Sequence, residues 1–203
     1  MTQPGYDAFA DEYAQRFPDP YQAPFERHAV AIFAEQVHQA NAPGVVVDVG
    51  CGIGHVTADL YRRGLRTLGC DPSPGMLHFA REAHPEQTFV DDDATLTLIT
   101  EPISAILARF SLIHIDPAGV EAVLHAWAAR LPREAPVLIA TQSSDEPGSA
   151  LEFDHAVAPA WRWHPDELHR VLDACGFVEN WRLVSRPGGI HRFPSVHLLA
   201  HRR

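Results

Sequence analysis

Val45-Val46-Val47-Asp48-Val49-Gly50-Cys51-Gly52-Ile53-Gly54-His55-Val56-Thr57-Ala58-Asp59-Leu60 is the stretch on which the reading of this chain turns. Its β-branched opening has the pattern of a strand buried on both faces. Three alternating glycines follow, and then a helical pattern. Glycines let a backbone turn tightly and let a ligand touch the main chain, and the helix start beyond offers unpaired N–H groups. A dinucleotide fingerprint needs G-x-G-x-x-G after the strand. Here its third glycine would fall at His55 or Thr57, so the spacing does not fit. Asp48 would repel a pyrophosphate and suits a ligand carrying an ammonium group.

An acid followed by three alternating glycines, Asp48-Val49-Gly50-Cys51-Gly52-Ile53-Gly54, resembles the first motif of the S-adenosylmethionine-dependent methyltransferases of the Rossmann-like class. The motif taken alone also suits a glycine turn in another α/β enzyme. The resemblance implies S-adenosyl-L-methionine as cofactor, S-adenosyl-L-homocysteine as product, and Asp48, Gly50, Cys51, Gly52 and Gly54 among the cofactor contacts.

Further motifs extend the likeness. Leu65 to Cys70 reads as a second strand ending at Asp71, about twenty residues past the first glycine, where Rossmann-like folds place a carboxylate on ribose hydroxyls. Asp71 also suits the cap of the next helix. Asp71-Pro72-Ser73-Pro74-Gly75-Met76-Leu77 resembles the family's D-x-S-x-x-M-L continuation, which implies that Pro72 and Met76 lie near the adenine. Phe89 to Ala94 ends a third strand. By the family's pattern Asp93 reads the adenine amino group with the Ala94 N–H beside it. Asp92 stands where glycine is common, which leaves open which acid reaches the base, and an acidic run also suits a solvated loop.

Tyr6-Asp7-Ala8-Phe9-Ala10-Asp11-Glu12-Tyr13 matches the family's N-terminal segment, implying that Tyr6 and Tyr13 pack over the cofactor as part of a lid. These aromatics would equally bury a helix against the core. Phe25 to Val37 has a helical pattern. Ile103 to Ala108 is a fourth strand, and Arg109-Phe110-Ser111-Leu112-Ile113-His114 after it resembles the fSl-x-H element of small-molecule methyltransferases. The N-P-P-[YF] motif of nucleobase and protein-amide methyltransferases is absent. His114, at the C-terminal strand ends, is a candidate base or a loop anchor. Arg109 is a candidate cofactor contact or a holder of an acceptor carboxylate or phosphate; its alternative is a pairing with an acid such as Asp92.

Asp116-Pro117 reads as a helix start, and Ala135 to Gln142 as a fifth strand. Ser143 to His164 has no periodicity and is long for a connection, which points to function rather than disorder because it is rich in aromatics. It reads as a substrate cover, with Phe153, Trp161 and Trp163, together with Tyr6 and Phe110, as acceptor-site candidates and His155 as a second candidate base. Trp161 and Trp163 would also suit the core. A helix over Asp166 to Cys175 stops at Gly176. Phe177 to Ser185 and Ser195 to His201 read as a closing hairpin around Arg186-Pro187-Gly188-Gly189.

The 203 residues suit one domain. A net charge of −10 argues against a nucleic-acid partner. No apolar run approaches the ~20 residues that span a bilayer, and MTQPGYDAFADEY lacks the features of a signal peptide. Three cysteines without C-x-x-C spacing favour no disulfide framework or zinc site and a cytoplasmic setting. No metal is expected, and monomer and homodimer stay open.

The expectation is a single α/β domain over 1–203, with an N-terminal lid and helix over 1–40 and the cover over 143–164. Its sheet is doubly wound, seven-stranded and mostly parallel, with an antiparallel last strand and helices on both faces. Its function is methyl transfer to a small-molecule acceptor. The alternatives are a catalytically silent cofactor-binding or scaffold protein of the same fold and, against the glycine spacing, a nicotinamide-dependent oxidoreductase.

Overall fold

The computed structural model describes residues 4–187 and 192–203. Two helices, α1 (Pro4–Arg16) and α2 (Pro24–Ala40), precede an alternation of strands and helices. These are β1 (Val45–Val49), α3 (His55–Arg62), β2 (Thr67–Asp71), α4 (Pro74–Ala83), β3 (Thr88–Asp91), β4 (Ile103–Arg109), α5 (Pro117–Arg130) and β5 (Pro136–Gln142). A short hairpin, β6 (Leu151–Phe153) and β7 (Ala160–Arg162), then leads to α6 (Pro165–Ala174), β8 (Phe177–Ser185) and β9 (Ser195–Arg202). Proline at the first turn, where its missing N–H costs nothing, starts α2, α4, α5 and α6. Ser73, Asp116 and His164 cap the last three with their side chains.

The main sheet runs β3-β2-β1-β4-β5-β9-β8. The first five strands are parallel, and β9 is antiparallel to both β5 and β8. This is the doubly wound, seven-stranded α/β arrangement expected from the sequence. Successive residues of the central strands feed opposite faces. Val45, Val47, Val49, Ile106, Ala108, Val137 and Ile139 pack toward α5 and α6, with Trp127 and Leu172 in the same core. Val46, Ala105, Leu107 and Leu138 pack with Phe33 of α2 and Leu60 of α3. The order reverses between β1 and β4, which opens a crevice at their C-terminal ends.

The aperiodic stretch after β5 holds the β6–β7 hairpin, whose three-residue strands are too short to show a period. Its ends are pinned together, because Trp163 N donates to Gln142 O at 3.0 Å and Ser143 Oγ to Trp163 O at 3.0 Å. The turn expected at Arg186–Gly189 lies partly outside the described residues.

Candidate active site

Gly50, Gly52 and Gly54 all adopt the left-handed conformation, with φ of 67°, 54° and 79°. They differ in what they face. A methyl group on Gly50 would lie 2.3 Å from Ser111 Cβ, and one on Gly54 2.6 Å from the Phe89 ring. On Gly52 it would meet nothing within 4 Å. Gly50 and Gly54 therefore close the turn, while Gly52 faces open space at the reversal point. Gly50 N and Cys51 N both donate to Cys70 O, at 2.8 and 3.0 Å. The Cys51 side chain packs with Leu77, Ala80 and Phe89, and burial pushes its thiol up. Beside Gly50, Ser111 Oγ is buried with no hydrogen-bond partner among the described residues.

Two carboxylates flank this cradle. Asp48 is 3% exposed and accepts a 2.7 Å hydrogen bond from Thr57 Oγ1. Burial lifts its pKa to about 6, against the lowering effects of that bond and of Arg109. Asp71 accepts from Ser73 N through Oδ1 and from Gly52 N through Oδ2, both at 2.9 Å. It too is lifted to about 6, by burial outweighing those two N–H bonds. Ser73, which accepts from Met76 N, is the cap of α4, so the capping role once open for Asp71 belongs to its neighbour.

The loop after β3 separates the two remaining acids. Asp92 is buried, and its oxygens hold Asp93 N and Leu98 N, both at 2.9 Å. Half-buried Asp93 accepts from both the N–H and the hydroxyl of Thr95 through one oxygen, Oδ1. Two residues that the sequence did not single out fix this loop from α5. Trp127 Nε1 donates to Ala94 O at 2.7 Å, and Arg130 donates to the carbonyls of Leu96, Ile99 and Glu101. A buried indole N–H needs an acceptor, and that is the only sequence signal that pointed here.

Above the cradle lies α1. Tyr6, Tyr13 and Ala10 cluster with Ile53 and Met76, so Met76 is buried beneath the helix. Asp7, absent from the expected site residues, accepts from Ser73 Oγ at 2.6 Å and from Gly75 N at 2.9 Å, fastening α1 to the start of α4. Pro72 leads into that same corner.

His114 ends a 3₁₀ turn, Leu112–His114. Its Nδ1 lies 3.0 Å from Pro159 O and its Nε2 2.8 Å from the Tyr6 hydroxyl. A carbonyl oxygen only accepts, so Nδ1 carries the proton and Nε2 receives the Tyr6 O–H. His155 meets the His114 ring edge-on at 4.8 Å, and Phe153 meets His155 at 6.0 Å. Burial lowers the pKa of both histidines and raises that of Tyr6. Gly5 sits so close to the 154–159 segment that a methyl there would lie 2.2 Å from Val157 O. The N-terminal helix, the end of β4 and the hairpin thus meet.

Some expected residues lie elsewhere. Arg109 pairs with Glu26 at 2.9 Å, not with Asp92, and also donates to Pro20 O at 3.1 Å. Its guanidinium lies 5.1 Å from the Tyr21 ring centre, so it ties the start of α2 to β4 rather than standing open to an acceptor. Trp163 is 4% exposed and belongs to the main core, whereas Trp161 is half-buried at the hairpin. Phe110 holds φ at +54°, a strained conformation for a bulky residue, with its ring against His197. Among the described residues no group of three or more His, Cys, Asp or Glu side chains forms a metal site.

Residues 46–134 match a methyltransferase domain family. A trans-aconitate 2-methyltransferase of Escherichia coli is 38% identical over 69 residues, which is 33% of this chain and 27% of that protein. A demethylmenaquinone methyltransferase of Beutenbergia cavernae is 30% identical over 110 residues, 53% of this chain and 44% of that one. The chain therefore spans less than half the length of these curated relatives. The crystal structure of Burkholderia thailandensis 1,6-didemethyltoxoflavin-N1-methyltransferase, with bound 1,6-didemethyltoxoflavin and S-adenosylhomocysteine, superposes with a TM-score of 0.69 at 21% identity. That superposition covers 100% of this chain and 91% of the other.

Proposed function

We propose that the chain is an S-adenosylmethionine-dependent methyltransferase of the Rossmann-like class, as the match of residues 46–134 to a methyltransferase domain family supports, and that it transfers a methyl group from S-adenosyl-L-methionine to a small-molecule acceptor. The observation that carries this is the cradle: a glycine facing open space, an unpartnered buried hydroxyl and two buried carboxylates about it. Asp71 has lone pairs left for a ribose cis-diol after its two backbone bonds. Asp93, with the Ala94 N–H beside it, reads adenine, as the family's pattern implies. Asp48 and Ser111 face the amino-acid end of the donor across Gly50 and Gly52, with Gly54 and the Cys51 backbone shaping the turn. Tyr13, Pro72 and Met76 line the adenine and lid side, and Arg109 steadies the wall behind Asp48.

The bound sulfonium supplies the activated methyl group, so the chain's task is alignment, with acceptor and carbon about 3 Å apart. Tyr6, Phe110, Phe153 and Trp161 bound the acceptor site, and aromatic faces tolerate the positive charge. As an acceptor O–H or N–H attacks, its proton passes to the Tyr6 oxygen while the Tyr6 proton moves to His114 Nε2. His155 holds the His114 ring in place. Residues 1–40 and 143–164 form the cover that excludes water. No helix among the described residues is long and apolar enough to cross a membrane. With Cys51, Cys70 and Cys175 all free thiols, the setting is the cytoplasm, with neither nucleic acid nor membrane as partner.

Calorimetry tests the donor. S-adenosylmethionine and S-adenosylhomocysteine are expected to bind and NAD is not. Tight NAD binding with no response to either sulfur nucleotide would overturn the reading. Incubation with methyl-labelled donor and a metabolite extract then identifies the acceptor; a cofactor that binds but never loses its label points to a binding protein.

A further inference from the structure

We propose that the acceptor carries a carboxylate, that Arg162 holds it, and that the methyl group goes to a different atom at the opposite end of the molecule. This names the substrate class of the site above and so rests on the donor reading. Arg162 stands in β7 opposite Leu151, two pairs along from the Phe153–Ala160 pair, so it shares a face of the hairpin with Phe153. Its guanidinium carbon lies 4.5 Å from the centre of the Phe193 ring. Among the described residues it has no hydrogen-bond or ion-pair partner, and its Nε is buried and unsatisfied.

Arg192 is the internal control. It stacks on the same ring at 4.6 Å, yet its charge is met by Asp154. Arg130, Arg182 and Arg202 likewise spend donors on protein oxygens; Arg109 shares a buried, unsatisfied Nε, but its terminal nitrogens meet Glu26 and Pro20 O. Stacking on Phe193 satisfies the face of the Arg162 fork and leaves its in-plane N–H groups without acceptors. A buried donor left unpaired is costly, and a guanidinium fork matches a carboxylate in a bidentate fashion. One unpaired cation matches one negative charge, which favours a carboxylate over a doubly charged phosphate.

The surroundings give the body of the molecule. Phe193 meets Phe153 at 5.2 Å, Phe153 meets His155 at 6.0 Å, and His155 meets His114 at 4.8 Å. Two phenyl rings therefore link Arg162 to the histidine pair, and Tyr6 stands at the far end of that wall. An apolar molecule laid along it would bring its carboxylate to Arg162 and its nucleophile to Tyr6 and His114. The carboxylate is thus a handle and not the methylated atom.

The test uses the full chain, with and without S-adenosylhomocysteine, and three probes: trans-cinnamate, cinnamamide and phenyl phosphate. Calorimetry or ligand-observed NMR reads affinity. Cinnamate is expected to bind at least tenfold tighter than cinnamamide and tighter than phenyl phosphate. Arg162→Gln removes that preference, Arg162→Lys retains part of it, and S-adenosylhomocysteine affinity stays within twofold in both variants. The inference is overturned if cinnamate does not bind, if the amide or the phosphate binds as well, or if Arg162→Gln keeps the preference. Failure of the parent protein to bind S-adenosylhomocysteine would sink the donor reading instead, and the cinnamate arms run without it would still decide Arg162.

Discussion

The two halves of the crevice are built by different rules. On the donor side, carboxylates grip backbone N–H groups nearby in sequence: Asp71 reaches 2 and 19 residues away, and Asp92 reaches 1 and 6. On the acceptor side, contacts join distant side chains and carbonyls. Tyr6 and His114 are 108 residues apart, and His114 and Pro159 are 45 apart. Short-range backbone contacts tolerate little change and give one binding geometry. Long-range side-chain contacts can be exchanged one at a time, which lets a single donor frame serve many acceptors.

Breaking the hairpin at its root has the largest expected effect. Trp163→Ala removes a core side chain and is expected to cost about 3–5 kcal/mol of stability in a denaturant titration, while Trp161→Ala, half-buried, costs less and changes acceptor turnover instead. Equal losses of stability in the two variants would abolish the distinction between neck and tip. Asp71→Ala comes next. Losing charge-assisted bonds of about 1.5–3 kcal/mol each is expected to lower S-adenosylhomocysteine affinity roughly a hundredfold without altering the Tyr6–His114 contact. An unchanged affinity would remove Asp71 from the donor half.

Tyr6→Phe and His114→Gln probe the other half. Each is expected to lower methyl transfer roughly a hundredfold and to leave donor affinity within about threefold, because neither residue carries a donor carboxylate. Donor affinity falling as far as turnover would mean that the two halves are one site. The remaining effect is that of pH. The carboxyls of Asp48 and Asp71 both sit at about 6, and a cationic ligand prefers them ionised. Affinity should therefore rise with pH through 6 and fall about tenfold per carboxylate from pH 7 to pH 5. Asp71→Asn should flatten part of that profile. In the ligand-free protein the sign is opposite. Both groups are raised above their unfolded values, so their contribution to folding is largest below pH 4 and is lost as pH rises through about 6.

That asymmetry also explains what the sequence disclosed. The central strands were legible because β-branched runs buried on both faces leave few other readings, and the cradle because left-handed turns select glycine at Gly50, Gly52 and Gly54. Asp71 was singled out by its distance from the first glycine, and the fold brings its carboxylate to Gly52 N. Asp7, Glu26, Trp127 and Arg162 were not. Each acts through groups brought close only by the fold, and nothing in local spacing marks an arginine that meets a ring and, among the described residues, no counter-ion. Arg109 shows the same limit from the other side: its type suited an acceptor contact, and its partner, Glu26, sits on a helix before β1. Trp163 was ambiguous because a tryptophan reads alike in a core and in a pocket.

The fastening of α1 has a consequence in time. Asp7 holds Ser73 and Gly75, and Tyr6 holds His114. A nucleoside beneath this helix leaves only when those bonds are released together. Since each is worth roughly 0.5–3 kcal/mol net, the helix is detached for a small fraction of the time, and dwell time becomes a property of the helix more than of the cradle. Asp7→Ala would then shorten the residence of S-adenosylhomocysteine in stopped-flow fluorescence, with dissociation and association both quickened and the equilibrium constant little moved. A dissociation rate untouched by that substitution would show that the nucleoside escapes by another route.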